Sequence, residues 1–221
     1  MPRLNEVLNT DKKVLIEELP DVYKFLYFDE TQVSPTAQQA MLEEREVRQG
    51  WLLHPQIGIG SGESMLDIGS RYGEYTLLAL AMGADHVYAF DRSCLFCRNL
   101  RDNLRINSNS FMERCSVLNK YVSPIGMQID DFVFGICSTP PKNLKWIKID
   151  VGGQDELNIV NAAYKTIDHY RPINILMHHY DLKGPQNFSE QFLQANGFDC
   201  RMVAIQKDKE SEECISTTVI F

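Results

Sequence analysis

The sequence predicts an α/β domain built on a mostly parallel, seven-stranded sheet with helices on both faces and an antiparallel terminal strand. Three observations carry this. Short apolar runs alternate with helical stretches from Ser64 to Asn196, the pattern of a covered parallel sheet. A glycine-bearing turn, Gly69-Ser70-Arg71-Tyr72-Gly73, joins the first run to the first helical stretch. The last two apolar runs have no helix between them, which calls for one antiparallel edge.

The elements follow in order. Val14, Leu15, Leu19, Val22, Phe25 and Leu26 fall mostly at helical spacing with a break at Pro20, so the first fifty residues read as a helical extension, 1–50. Ser34-Pro35 is a helix start, and Gly50 closes the run that follows. Residues 51–221 then form the sheet domain. Strands are expected at Ser64–Ile68, His86–Phe90, Cys115–Leu118, Trp146–Val151 and Ile173–His178. Helices are expected at Tyr75–Met82, Leu95–Ile106, Asp155–Ile167 and Phe188–Asn196, with Gly197 as a stop. A short strand around Asp131–Ile136 and a turn at Pro140-Pro141 fill the intervening region, and Met202–Gln206 pairs with Ser216–Phe221 as a closing hairpin.

Composition excludes some classes. Hydrophobic residues make up 44% of the 221 and charged residues 24%, ordinary for a packed domain rather than a disordered chain. No apolar run reaches membrane-spanning length, and the stretch Met1–Lys13 lacks the apolar core of a signal peptide. A cytoplasmic protein without a membrane partner is expected. The net charge of -8 repels a duplex nucleic acid on average. Arg98, Arg101 and Arg105 read as a solvated helix face. The six cysteines are expected to stay reduced. Cys94 and Cys97 form a lone CxxC without a second pair or a nearby histidine, so they read as structural rather than zinc-binding. No resident metal is expected.

The nucleotide-binding signal is local. Gly69 permits the tight turn, and Gly73 opens a helix whose amides favour electron-rich ligand atoms. Asp91 closes the following strand, where a carboxylate accepts from ribose hydroxyls. Asp67, just before the first glycine, opposes a pyrophosphate and favours the ammonium of a methionine moiety, directly or through water. Position 71 is Arg where a dinucleotide site wants a third glycine. S-adenosylmethionine is therefore favoured over a dinucleotide. Gly58, Gly60 and Gly62 read as a connection, since no Lys-Ser/Thr follows them.

The ordered motifs resemble those of the FkbM-type methyltransferases. They are the acidic helix Glu43-Glu44-Arg45-Glu46, then Gly50-Trp51, then Asp67 to Thr76 as Asp-x-Gly-x-x-x-Gly-x-x-Thr. Gly83-Ala84, Val87-Tyr88-Ala89-Phe90-Asp91, Leu100 with Asn103, and Ile147-Lys148-Ile149-Asp150-Val151 follow. The resemblance implies a Rossmann-like class I fold and transfer of a methyl group to a hydroxyl of a small molecule or saccharide. It places Asp67, Gly69, Ser70, Arg71, Gly73, Thr76, Asp91 and Asn119 at the cofactor. Asp150 and His178 are expected as catalytic residues because the reacting centre of an open α/β sheet lies beyond the carboxyl ends of its strands, where both stand. The chain departs from the pattern at Ser70-Arg71 (Ala-Asn in the family), at Gly152-Gly153 (Glu-Gly) and at His178 (Glu). Three other readings stay open. One is a metal-dependent O-methyltransferase using Asp150, His178 and Asp181. Another is a non-catalytic module that binds the cofactor or a partner. The third is an RNA 2′-O-methyltransferase using Lys148 and Asp150.

Overall fold

The computed structural model describes residues 13–18, 25–29, 58–151, 156–179, 186–199, 201–207 and 214–220, with side chains described over 58–151, 156–178 and 191–199. The chain divides into two compact units, Met1–Asn119 and Lys120–Phe221.

The first unit opens with β1 (Lys13–Glu18) and β2 (Phe25–Asp29), paired antiparallel. This corrects the helix expected there. Val14, Ile16, Phe25, Tyr27 and Phe28 are β-branched or aromatic, and such residues pack better on a pleated surface than in a helical turn. Pro20, between the strands, also ends any helix that crosses it. The helix expected after Ser34-Pro35, the Gly50 stop and the boundary at 50/51 lie outside the described residues.

The parallel strands come next: β3 (Ser64–Ile68), β4 (His86–Asp91) and β5 (Cys115–Asn119), with β4 between the other two. All five residues of β3 are buried, as expected of a strand covered on both faces. Helix α1 (Glu74–Ala81) follows β3 and is buried at every position. Its apolar residues have no polar face to turn outward. Helix α2 (Cys94–Asn107) is amphipathic: Cys97, Leu100 and Leu104 are buried while Arg98 and Arg105 are exposed. Ser93 caps it, its hydroxyl accepting from the Phe96 N–H at 3.3 Å. The arginine face is only partly solvated, because Arg101 donates to the Val117 carbonyl at 2.8 Å. The short α3 (Asn109–Glu113) leads into β5.

In the second unit, β6 (Leu144–Ile149) and β7 (Asn174–His179) pair in parallel. β9 (Cys214–Ile220) runs antiparallel both to β7 and to β8 (Arg201–Lys207). The parallel strands among the described residues are thus β3 to β7, and the closing hairpin supplies the antiparallel pairing.

Two expectations in this unit are corrected. Residues 131–136 are helical: α4 (Ile129–Asp131) runs into a π-helical turn, Phe132–Ile136, in which Cys137 N–H donates to the Phe132 carbonyl at 2.8 Å. Burial of adjacent Phe132 and Val133, with Phe134, Gly135 and Ile136 exposed, breaks the alternation a strand needs. The helix expected at 155–167 is two, α5 (Glu156–Asn161) and α6 (Tyr164–His169). Asp130 holds the start of α6, accepting from the Lys165 and Thr166 amides and from the Thr166 hydroxyl. Helix α7 (Gln186–Ala195) ends at Gly197, whose φ of 83° suits a glycine stop.

Candidate cofactor and acceptor sites

The glycine turn is built from backbone. The amides of Gly69 and Ser70 both donate to the Phe90 carbonyl, at 2.8 and 3.0 Å, which ties the end of β3 to the end of β4. Within five residues the chain takes three positive φ values: 77° at Gly69, 48° at Arg71 and 96° at Gly73. Gly73 stands at the N-terminus of α1, and no side chain caps that helix. A capless helix start behind a reversing turn presents main-chain N–H groups in one concavity. Ser70 adds a buried hydroxyl, 1% exposed, with no hydrogen-bond partner among the described residues.

Two carboxylates frame the turn. Asp67 has no exposed surface and accepts from the Thr76 hydroxyl at 2.6 Å. Burial, with the Asp67 charge nearby, pushes the Cys115 thiol up. Asp91, 7% exposed, accepts from Arg71 N–H at Oδ2 (3.0 Å) and from Ser93 N–H at Oδ1 (2.7 Å). A carboxylate offers about four lone-pair sites, so two acceptor positions remain after these contacts. Asn119 lies abreast of Asp91 in the β4–β5 register, and its amide donates to the Asp91 and Arg92 carbonyls, each at 3.0 Å.

All eight residues expected at a cofactor, Asp67 to Asn119, lie in the first unit around this turn. Sequence reasoning left out three of its supports. Asn103 Nδ2 donates to the Tyr72 carbonyl at 2.9 Å. Phe96 packs edge-on against Tyr72, ring centroids 5.0 Å apart. The Cys97 thiol reaches the Asp91 carbonyl at 3.5 Å. The helical spacing of Phe96, Leu100 and Asn103 signals a shared inward face, though not what it touches.

The second unit holds the residues expected to act on an acceptor. Ile149 pairs with Met177 in the β6–β7 register, so Asp150 and His178 follow at the same level. Both are buried, at 8% and 7% exposure. Lys148, on the same side of β6 as Asp150 by strand alternation, places Nζ 3.8 Å from Asp150 Oδ2 with both side chains buried. Removing ions from water is expensive, so a buried pair of this kind is poor evidence of added stability. The sequence reading gave Lys148 a role only in its RNA alternative. Gly152, Gly153 and Asp181 lie outside the described residues, as does the His179 side chain.

No family model matches the sequence, and no curated protein matches it by sequence. Solved structures do match the fold. A precorrin-6y C5,15-methyltransferase from Geobacter metallireducens superposes with a TM-score of 0.53 at 19% identity, over 80% of this chain and 86% of that one. Methyltransferase FkbM from Methylobacillus flagellatus gives 0.56 at 15% identity, over 86% of this chain and 56% of its own. TYW2 from Pyrococcus horikoshii in complex with MeSAdo gives 0.52 at 13% identity, over 96% of this chain and 71% of that one. The fold is therefore the Rossmann-like α/β fold of methyltransferases, with a parallel sheet. No helix among the described residues is long and apolar enough to cross a membrane.

Proposed function

We propose that the chain is a methyltransferase that binds S-adenosylmethionine at the Gly69–Gly73 turn and methylates a hydroxyl of a small molecule or saccharide. The observation that carries the reading is the turn itself. Its positive-φ backbone fastens the Arg71 N–H to Asp91, and the remaining acceptor positions of that carboxylate suit a ligand's hydroxyls. The fold is shared with structures named as methyltransferases and with TYW2 in complex with MeSAdo.

In this reading Asp91 takes the ribose hydroxyls on its remaining acceptor positions. Gly69, Ser70, Arg71 and Gly73 line the turn, and Asn119 holds the backbone behind Asp91. Asp67, fully buried, acts by its field and through the Thr76 hydroxyl rather than by direct contact. The cofactor, when bound, supplies an activated methyl on a good leaving group. The chain's own work is to align the acceptor, exclude water and take a proton from the hydroxyl. His178 is assigned that proton, since a neutral imidazole suits neutral pH. Asp150 orients the acceptor or the imidazole. A cytoplasmic setting matches the free thiols of Cys94, Cys97, Cys115 and Cys137.

Calorimetry with S-adenosylhomocysteine tests the binding step, with Gly69→Val as the control. A valine at φ 77° is strained, so the variant should lose binding. Equal binding by both proteins would remove the turn from the site. Labelled S-adenosylmethionine over a panel of small alcohols and saccharides then tests the chemistry. A second reading is a module that binds the cofactor without turnover, and the Lys148–Asp150 ion pair favours it by giving Asp150 a structural partner. Binding with no product across the panel would select it.

A further inference from the structure

The first turn of α2 carries a pair of groups that methyl transfer leaves unused. Cys94 is its first residue and is exposed, whereas Cys97, one turn on, has no exposed surface. Helical positions three apart have Cα atoms about 5 Å apart, inside the range of about 4.4–6.8 Å that a disulfide accepts. Cys94 also lies where N–H groups lack intrahelical bonds, so the backbone there yields at small cost. An accessible thiol therefore stands one helical turn before a buried one, at a backbone spacing that a disulfide can span.

The pair is wired to the glycine turn by three contacts. Cys97 Sγ lies 3.5 Å from the Asp91 carbonyl, as the donor. Ser93, next to Cys94, gives its N–H to Asp91 Oδ1 at 2.7 Å. Phe96, between the cysteines, packs on Tyr72 of the turn. We propose that Cys94 and Cys97 are a redox-active dithiol that closes on reaction with a low-molecular-weight disulfide and thereby weakens the cofactor site through Asp91.

The chemistry balances. The Cys94 thiolate attacks one sulfur of the small disulfide, whose S–S bond breaks and whose other half leaves as a thiolate. Cys97 then attacks Cys94 Sγ, expelling the second half, which takes the Cys97 proton as it leaves. Two protein thiols lose two electrons in all, and the small disulfide becomes two thiols. Burial and the Asp91 charge push the Cys97 thiol up, so Cys94 attacks first and Cys97 resolves. Closure removes the S–H donor to the Asp91 main-chain carbonyl and draws the Ser93–Cys94 backbone inward, which pulls the Ser93 N–H away from the Asp91 carboxylate.

The coupling rests on the cofactor reading; the disulfide does not. The full chain is treated with glutathione disulfide, digested without reductant and weighed. The peptide holding both cysteines should be lighter by two hydrogens and recover its mass with dithiothreitol. S-adenosylhomocysteine should then bind about tenfold more weakly to the oxidised protein, the scale of losing one hydrogen bond to a charged group. Cys94→Ser should bind like the reduced wild type and ignore the oxidant. Thiols that stay titratable, or a lasting mixed disulfide on Cys94, would overturn the dithiol. Equal affinity in the closed form would overturn the coupling. Failure of the reduced protein to bind would instead remove the cofactor reading, with the mass measurement still deciding the dithiol.

Discussion

Arg71 donates its main-chain N–H to Asp91 Oδ2 at 3.0 Å, so the acid that closes β4 is fastened to the turn that closes β3. The donor is a non-glycine residue at φ 48°, a conformation that side chains other than Asn and Asp visit at a cost. Part of that cost is offset by the charge-assisted bond to Asp91. Turn and acid therefore behave as one unit, and a change in either reaches the other.

Asp91→Ala should weaken S-adenosylhomocysteine binding by about 1.5–3 kcal/mol, the range for hydrogen bonds to a charged group. Asp91→Asn keeps an acceptor without the charge and should fall between. Calorimetry reads both. An alanine variant with wild-type affinity would show that Asp91 serves only the turn.

Gly73 has φ 96°, and a Cβ there would run into the Leu100 side chain. Gly73→Ala should destabilise the fold by about 1–3 kcal/mol, combining backbone strain with overpacking. Gly60→Ala is the control, because a Cβ at that position meets nothing within 4 Å. Urea midpoints should separate the two variants. Equal midpoints would mean that the turn relaxes around the new methyl group.

The glycine turn and Asp91 were legible because strand, turn and strand end are adjacent in sequence and each has a residue type suited to its backbone. Asn103, Cys97 and Ser93 were not, because their roles come from α2 folding back over Tyr72 and Asp91. Lys148 was expected only in the RNA alternative, because an otherwise apolar strand gives no sign that its ammonium turns to Asp150. Two of the errors share a cause. Val14 to Leu26 and Phe132 to Ile136 are short apolar stretches, for which period alone does not separate strand from helix. In the first, aromatic and β-branched residues around Pro20 decided for strands. In the second, consecutive burial of Phe132 and Val133 decided for a helical turn.

His86 offers a test by pH. Its Nε2 lies 2.8 Å from the Ser116 hydroxyl, its ring leans on Tyr88, and burial holds the imidazole below its ordinary value of 6.5. Above that pH the group is neutral in both folded and unfolded chains and contributes no pH dependence. As pH falls through 6.5 the unfolded chain takes up a proton that the folded chain refuses, so stability drops. The drop levels off below the folded value, where both states are protonated. Urea midpoints taken from about pH 7.5 downward should therefore fall more for the wild type than for His86→Gln. Parallel profiles would show that His86 titrates as it does in the unfolded chain.

The sharpest test concerns His178 and Asp150. They follow the paired residues Ile149 and Met177 at one level of neighbouring parallel strands, which lie about 4.8 Å apart. A buried imidazole and a buried carboxylate following at one level suit the proposed removal of a proton from an alcohol, the carboxylate steadying the imidazolium. His178→Ala should then lower turnover by about 10²–10⁴-fold, the usual loss of a general base. S-adenosylhomocysteine affinity should stay within about twofold of wild type, since His178 is assigned to the acceptor's proton and not to holding the cofactor. His178→Gln keeps hydrogen bonding but cannot accept the proton, so it should be as slow as the alanine variant. The measurement is S-adenosylhomocysteine release with whichever alcohol of the panel the wild type methylates. A glutamine variant that retains wild-type turnover would assign His178 to packing and leave Asp150, held by Lys148, as the base to test next.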